Sequence, residues 1–175
     1  MIEVLKQQFN LSMTNEEKLN RVREFLQILC LKLMYDKRHF KNVAFVGGTA
    51  LRVLYDLRRF SEDLDFSVIR KEGYDFLQIM ANLEKELKLY GLKIEIKNKV
   101  EKTVQSSFLK FERLLNELKL SPLKEQKLSI KIEVDSNPPK GWHTQTSLVN
   151  KTYIFNILHF DLPSLYATKL HACFF

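Results

Sequence analysis

Cysteine, proline and glycine are scarce in this 175-residue chain, at two, four and five residues respectively. Two cysteines far apart exclude a disulfide framework and a cysteine-built zinc site. Cys30 and Cys173 lie beside apolar residues and are predicted to be buried, reduced thiols. His39, His159 and His171 have no spacing suited to zinc. Few prolines and glycines exclude long linkers, and the chain has neither an internal repeat nor a low-complexity segment. Nor does any apolar run approach the roughly 20 residues that span a bilayer. The N-terminus mixes acidic and amide residues into its apolar ones, unlike a signal peptide. A cytoplasmic protein without a membrane partner is expected.

What remains is ordinary globular material, 45% hydrophobic and 28% charged, enough for one domain with a real core. Lysine and arginine number 28 against 21 acidic residues, a net charge of +7. Most of the excess falls in residues 85–131, with 12 basic residues against six glutamates. Such a stretch suits a polyanion, and it also suits a plain solvated face.

Thr14-Asn15-Glu16-Glu17 is a capping-box pattern. Leu19, Val22, Leu26, Leu29 and Leu33 follow at helical spacing, which predicts an amphipathic helix. Val43–Val46 is a short apolar run ended by Gly47-Gly48, read as strand, turn and a helix through Leu57. Phe60–Val68 is predicted as a strand, with Asp63 and Asp65 alternating against Leu64 and Phe66. After Gly73 comes a helix whose buried face is Phe76, Leu77, Met80, Leu83 and Leu87. Leu92, Ile94 and Ile96 alternate with charged residues as in a half-buried strand, and residues 100–120 are ambiguous between strand and helix. Leu128–Asp135 alternates strictly and reads as a strand, broken by Asn137-Pro138-Pro139. A further strand is expected at 152–158, and Asp161 with Pro163 opens a helix carrying Tyr166, Lys169 and Leu170. The predicted fold class is α+β, or mixed α/β: a twisted mixed sheet with helices packed mainly on one side.

Chemistry concentrates in Phe45-Val46-Gly47-Gly48-Thr49-Ala50-Leu51 and Arg59-Phe60-Ser61-Glu62-Asp63-Leu64-Asp65-Phe66. Glycines at a helix N-terminus let a triphosphate approach the backbone, where unpaired N–H groups and the dipole favour anions. Thr49 adds a hydroxyl there, although a tight turn would also use two glycines. No Gly-Lys-Ser/Thr follows, so this is not a P-loop. Asp63 and Asp65, two apart on a strand, point to one face. Paired carboxylates repel unless a cation lies between them, and Mg²⁺ takes such ligands together with substrate phosphates. Glu133 lies on a separate strand with Asp135 two residues on. If that strand pairs beside Asp63 and Asp65, the acids converge as in two-metal sites. The mid-strand position favours Glu133 over Asp135 as the third ligand.

Together these segments resemble the AbiEii/AbiGii toxin family of the DNA polymerase beta-like nucleotidyltransferase superfamily. Gly47 and Gly48 match its glycines, Asp63 and Asp65 its Asp-x-Asp pair, and Glu133 its later carboxylate. The Arg59-x-Ser61-Glu62 lead-in is more particular to the toxin branch. Ala167-Thr168-Lys169-Leu170 resembles the family's lysine-bearing helix. The resemblance implies a nucleotidyltransferase fold and transfer of a nucleotide from an NTP, with Mg²⁺ or Mn²⁺ as cofactor. Asp63, Asp65 and Glu133 would hold the metal. Gly47, Gly48, Thr49, Arg59, Ser61 and Lys169 would seat the triphosphate, Lys169 neutralising its charge. It further implies a toxin of a type IV toxin–antitoxin or abortive-infection system, acting on the tRNA 3′ end or another RNA and countered by a cognate antitoxin.

Members of the family usually continue into a helical C-terminal region, so residues 1–175 are expected to be the catalytic head without it. Two other readings stand beside the toxin: nucleotidylation of a small molecule or protein, and a catalytically incomplete NTP-binding or interaction domain. Arg59 also fits a strand-end pairing with Glu62, Ser61 a turn hydrogen bond, and Lys169 a solvent-facing lysine. Trp142 and His143, after a Pro-Pro-Lys-Gly turn, suit stacking on a base or ordinary packing.

Overall fold

A computed structural model describes residues 1–100 and 103–174, with side chains through residue 170. The expectation for Cys173 lies outside the described side chains. A short helix α1 (Ile2–Lys6) precedes the long α2 (Asn15–Asp36). The capping box forms: the Glu17 N–H donates to Thr14 Oγ1 at 3.2 Å, and the Thr14 N–H donates to Glu17 Oε2 at 2.7 Å. Val22, Leu26, Leu29 and Leu33 are buried at the helical spacing the sequence carries.

The sheet has seven strands: β1 (Val43–Val46), β2 (Leu64–Val68), β3 (Ile94–Lys99), β4 (Val104–Phe111), β5 (Leu128–Asp135), β6 (Thr144–Asn150) and β7 (Ile154–Phe160). Their order is β3-β4-β5-β2-β1-β7-β6. The β2–β5 and β1–β7 pairs are parallel and the others antiparallel, which makes a mixed sheet. Helix α3 (Gly47–Tyr55) follows β1, α4 (Phe76–Leu89) joins β2 to β3, α5 (Leu114–Glu117) joins β4 to β5, and α6 (Leu162–Phe174) follows β7. Helices α2 and α4 meet each other over one face, α2 reaching β5 and β7, and α4 reaching β3. Phe45, Phe66, Phe111, Ile130 and Ile132 point into that core and are at most 1% exposed. Each such side chain contributes about 1.5–3 kcal/mol by leaving water. The opposite face carries the charged residues of the same strands.

Two local expectations change, and one region left open is resolved. The strand expected over 60–68 begins at Leu64, because residues 61–63 are held as a loop by α2 and α3. Leu77 is 51% exposed, whereas Ile79 takes the buried place beside Met80 and Leu83. The ambiguous region resolves into β4 and α5. Strand β6 is an edge strand in which only Val149 is buried, so its polar sequence shows no alternation of apolar residues. Cys30 is buried, and burial pushes its thiol up to about 12, leaving it inert. No described helix is long and apolar enough to cross a membrane.

Candidate active site

Strand pairing brings the acids together. In the parallel β2–β5 ladder Asp65 stands opposite Glu133, and Ser67 opposite Asp135. Asp65 is also the rung opposite Val46, the last residue of β1, so the carboxylate lies at the mouth of the β1–α3 turn. Asp63 lies one residue before β2. Asp65, Glu133 and Asp135 line a groove of about 300 Å³, with Val46 and Ser67 beneath and Thr168 of α6 at its side.

Gly47 is required there for two reasons. Its φ of +78° lies in the left-handed region, and a Cβ added to it would come within 2.1 Å of Asp65 Oδ2. Gly48 is flanked by Ser61 Oγ at 3.2 Å and Lys169 Nζ at 3.8 Å from the position its Cβ would take. The start of α3 therefore collects a carboxylate, a hydroxyl and an ammonium around bare backbone. Thr49 is fully buried, and its hydroxyl donates to the Asp63 carbonyl oxygen. That hydroxyl braces the loop from within the fold instead of facing the groove. Arg59 is exposed on the α3–β2 loop.

Two residues of the site belong to no motif. Gln27, 2% exposed on α2, donates from Nε2 to the Ser61 carbonyl at 3.0 Å. Arg23, one turn earlier, pairs with Glu62 Oε1 at 3.1 Å, taking the partner considered for Arg59. The only trace of either in the sequence is polarity near the apolar stripe of α2.

Electrostatics distinguish the acids from ordinary surface carboxylates. Burial first, then the charges of Asp63 and Glu133, push Asp65 up to about 6, against the pull of Lys169 and Lys131. Asp63 is raised too, chiefly by burial, with Lys131 opposing and Glu133 reinforcing. Glu133 is ion-paired to Lys131 at 2.7 Å. Among the described residues no three acidic, histidine or cysteine side chains form a ready-made metal cage. The groove does offer hard carboxylate oxygens in mutual repulsion, the donor type that divalent cations such as Mg²⁺ take.

His171 lies outside the described side chains, and other candidates have partners within the fold. Buried His159 is hydrogen-bonded through Nδ1 to the Phe160 carbonyl at 2.6 Å and through Nε2 to Ser147 Oγ at 2.8 Å. His39 Nε2 meets Asn82 Nδ2 at 3.1 Å. Trp142 stacks on Phe160 with centroids 5.3 Å apart, and it also walls a smaller pocket of about 140 Å³ with Ala167. That pocket shares Pro139 and Thr168 with the carboxylate groove.

A family model described as the nucleotidyl transferase AbiEii toxin of type IV toxin–antitoxin systems matches residues 31–175. No curated protein matches the chain. Among solved structures, JHP933 from Helicobacter pylori superposes with a TM-score of 0.59 at 18% identity, covering 89% of this chain and 57% of its own. A candidate nucleotidyltransferase from the same organism gives a TM-score of 0.59 at 19% identity, covering 87% of this chain and 58% of its own. At such identities the likeness is one of fold, and this chain spans under two thirds of the length of either structure.

Proposed function

This chain belongs to the AbiEii nucleotidyl transferase toxin family, and we propose that it transfers a nucleotide from an NTP to the 3′ end of an RNA, tRNA foremost. The observation that carries the proposal is the rung uniting Val46, Asp65 and Glu133 beside a glycine turn that Lys169 approaches. In this reading the backbone of Gly47 and Gly48 seats the triphosphate at the α3 N-terminus, with Ser61 and Lys169 alongside. Lys169 balances the charge of the departing pyrophosphate. Arg59, exposed on the α3–β2 loop, is assigned in this reading to the phosphates or the acceptor. The pocket walled by Trp142 and Ala167 is proposed to take the base, since it opens from the groove at Thr168.

Asp63, Asp65 and Glu133 are the residues that would hold Mg²⁺ or Mn²⁺, which supplies Lewis-acid stabilisation of phosphate charge. The acceptor hydroxyl oxygen forms the new bond to the α-phosphorus, and the bond to the pyrophosphate oxygen breaks. The hydroxyl proton passes to a carboxylate of this group. Alignment and fixed charge supply most of the rate in phosphoryl transfer. As the toxin of a type IV or abortive-infection system, the chain would halt translation by blocking tRNA ends, and a cognate antitoxin would oppose it.

The test is transfer from each labelled NTP to a total tRNA pool in the presence of Mg²⁺, beside an Asp63→Ala, Asp65→Ala double variant. Label on RNA with the parent chain alone is expected and identifies the base. No label from a folded parent chain overturns the reading.

A further inference from the structure

We propose that the acceptor strand is single-stranded when it reaches the acids, and that it crosses the open face of β5, β4 and β3 with a base stacked on Phe108. The inference rests on the transfer reading and adds a path and a stacking residue to it. Two adjacent cross-strand rows carry it. In one, Lys97, Phe108 and Lys131 stand opposite one another across β3, β4 and β5. In the next, Lys99, Ser106, Glu133 and Asp65 run from β3 to the acids on β2. The cationic row thus lies directly beside the row that ends at the candidate metal ligands.

Phe108 is an aromatic residue of this face that core packing leaves unexplained. It is 40% exposed on the charged face, while its neighbour Leu109 satisfies the core from the other face. Lys131 Nζ lies 5.9 Å from the ring centroid and is ion-paired with Glu133, linking the aromatic to the acids. An exposed ring between two lysines offers what single-stranded nucleic acid uses: a stacking platform flanked by cations for the backbone.

Charge is divided along the same face. Further from the acids, Lys127 is bound to Glu95 at 2.6 Å and to Glu112 at 2.8 Å, and Lys110 stands opposite Glu95. Nearer the acids, Lys97 is 62% exposed with only a 3.4 Å contact to Glu95, a pairing a phosphate replaces at little cost. Asp65 and Lys99 are three strand spacings apart, about 14 Å. That distance accommodates the last few nucleotides of an extended strand, whereas a duplex would keep its bases away from Phe108.

The test is the affinity of the full chain for a fluorescein-labelled, unstructured RNA oligonucleotide with a free 3′ hydroxyl, read by anisotropy without NTP. Phe108→Ala is expected to weaken binding about tenfold, within the range for loss of one base–aromatic stack. Phe108→Trp restores it. Lys97→Glu with Lys99→Glu weakens binding further and flattens its salt dependence. Circular dichroism and the melting temperature of each variant establish that it is folded. Equal affinity of folded Phe108→Ala and parent, or equal binding of a blunt RNA duplex, overturns the path. The assay needs no turnover, so the two failures are distinguishable: a chain that binds RNA through Phe108 and labels nothing refutes transfer and keeps only the single-strand path across the sheet.

Discussion

Asp65 and Glu95 both stand on the open face of one sheet, yet their surroundings treat them oppositely. Asp65 is partly buried among acids, and burial with the charges of Asp63 and Glu133 pushes it up to about 6. Glu95, on the outer β3 strand, is held below the usual carboxylate range by hydrogen bonding to Lys127, with Lys97 assisting. In the centre of the sheet the fold gathers like charges that Lys131 and Lys169 offset only in part. At its edge the fold cancels charges where they arise. Repulsion that a stable fold would otherwise avoid is the physical mark of a site, because a ligand can relieve it.

Gly47 tests the central region most severely. Gly47→Ala forces a Cβ into the space of Asp65 and places alanine at a left-handed φ. A loss of about 2 kcal/mol or more is expected in urea unfolding, together with a shift of Asp65 that abolishes transfer. An unchanged midpoint would mean that the β1–α3 turn relaxes freely around the added Cβ and that Asp65 does not require glycine there.

Asp65→Asn separates activity from stability. Transfer should fall about a thousandfold, while the metal-free variant becomes more stable than the parent at neutral pH. The sign follows from the raised proton affinity. A carboxyl whose folded value is about 6, against an ordinary 3.8, holds its proton more tightly in the folded chain. Its contribution is complete below the ordinary value and is lost as pH rises through 6. Parent and variant should therefore melt alike near pH 4 and diverge by about 2 kcal/mol at pH 7.5. Mg²⁺ should narrow that gap by stabilising the parent more than the variant. A parent more stable than Asp65→Asn at pH 7.5 without metal would reverse the electrostatic account.

Gln27→Leu removes the brace between α2 and the Ser61 carbonyl while keeping side-chain volume. A loss of about 1 kcal/mol is expected. The Michaelis constant for NTP should also rise, since Ser61 lies beside Gly48. Loss of stability with no change at the site would make Gln27 a packing residue only.

Physical period explains which parts of the molecule were legible in the sequence. Leu128–Asp135 was readable to its ends because every second residue is buried. The same alternation gave Glu133 its face, though its rung opposite Asp65 needed the fold. Strand β6 was hidden because an exposed edge places few demands on its side chains. The glycines and the Asp-x-Asp pair stood out because spacing encodes them. Gln27 and Arg23 reach the loop from at least 34 residues away, and no spacing rule marks them. Thr49 was visible as a hydroxyl near the turn, but its donation to the Asp63 carbonyl is a tertiary contact.

The smallest expected effect lies at the edge, and it sharpens the contrast with Asp65. Lys127, just before β5, has two carboxylate partners, where Lys97 and Lys131 have one each. A count of contacts would make it a keystone. Its partners are half-exposed, however, so water and salt replace most of what the pair supplies. Lys127→Ala should leave the melting temperature within error of the parent at physiological salt. The same variant should also leave RNA affinity nearly unchanged, because its charge is already met by Glu95 and Glu112. A clear loss of stability would show that the β3–β4 edge is held by its charges after all, and the division of the sheet into a strained centre and a neutralised edge would have to be redrawn.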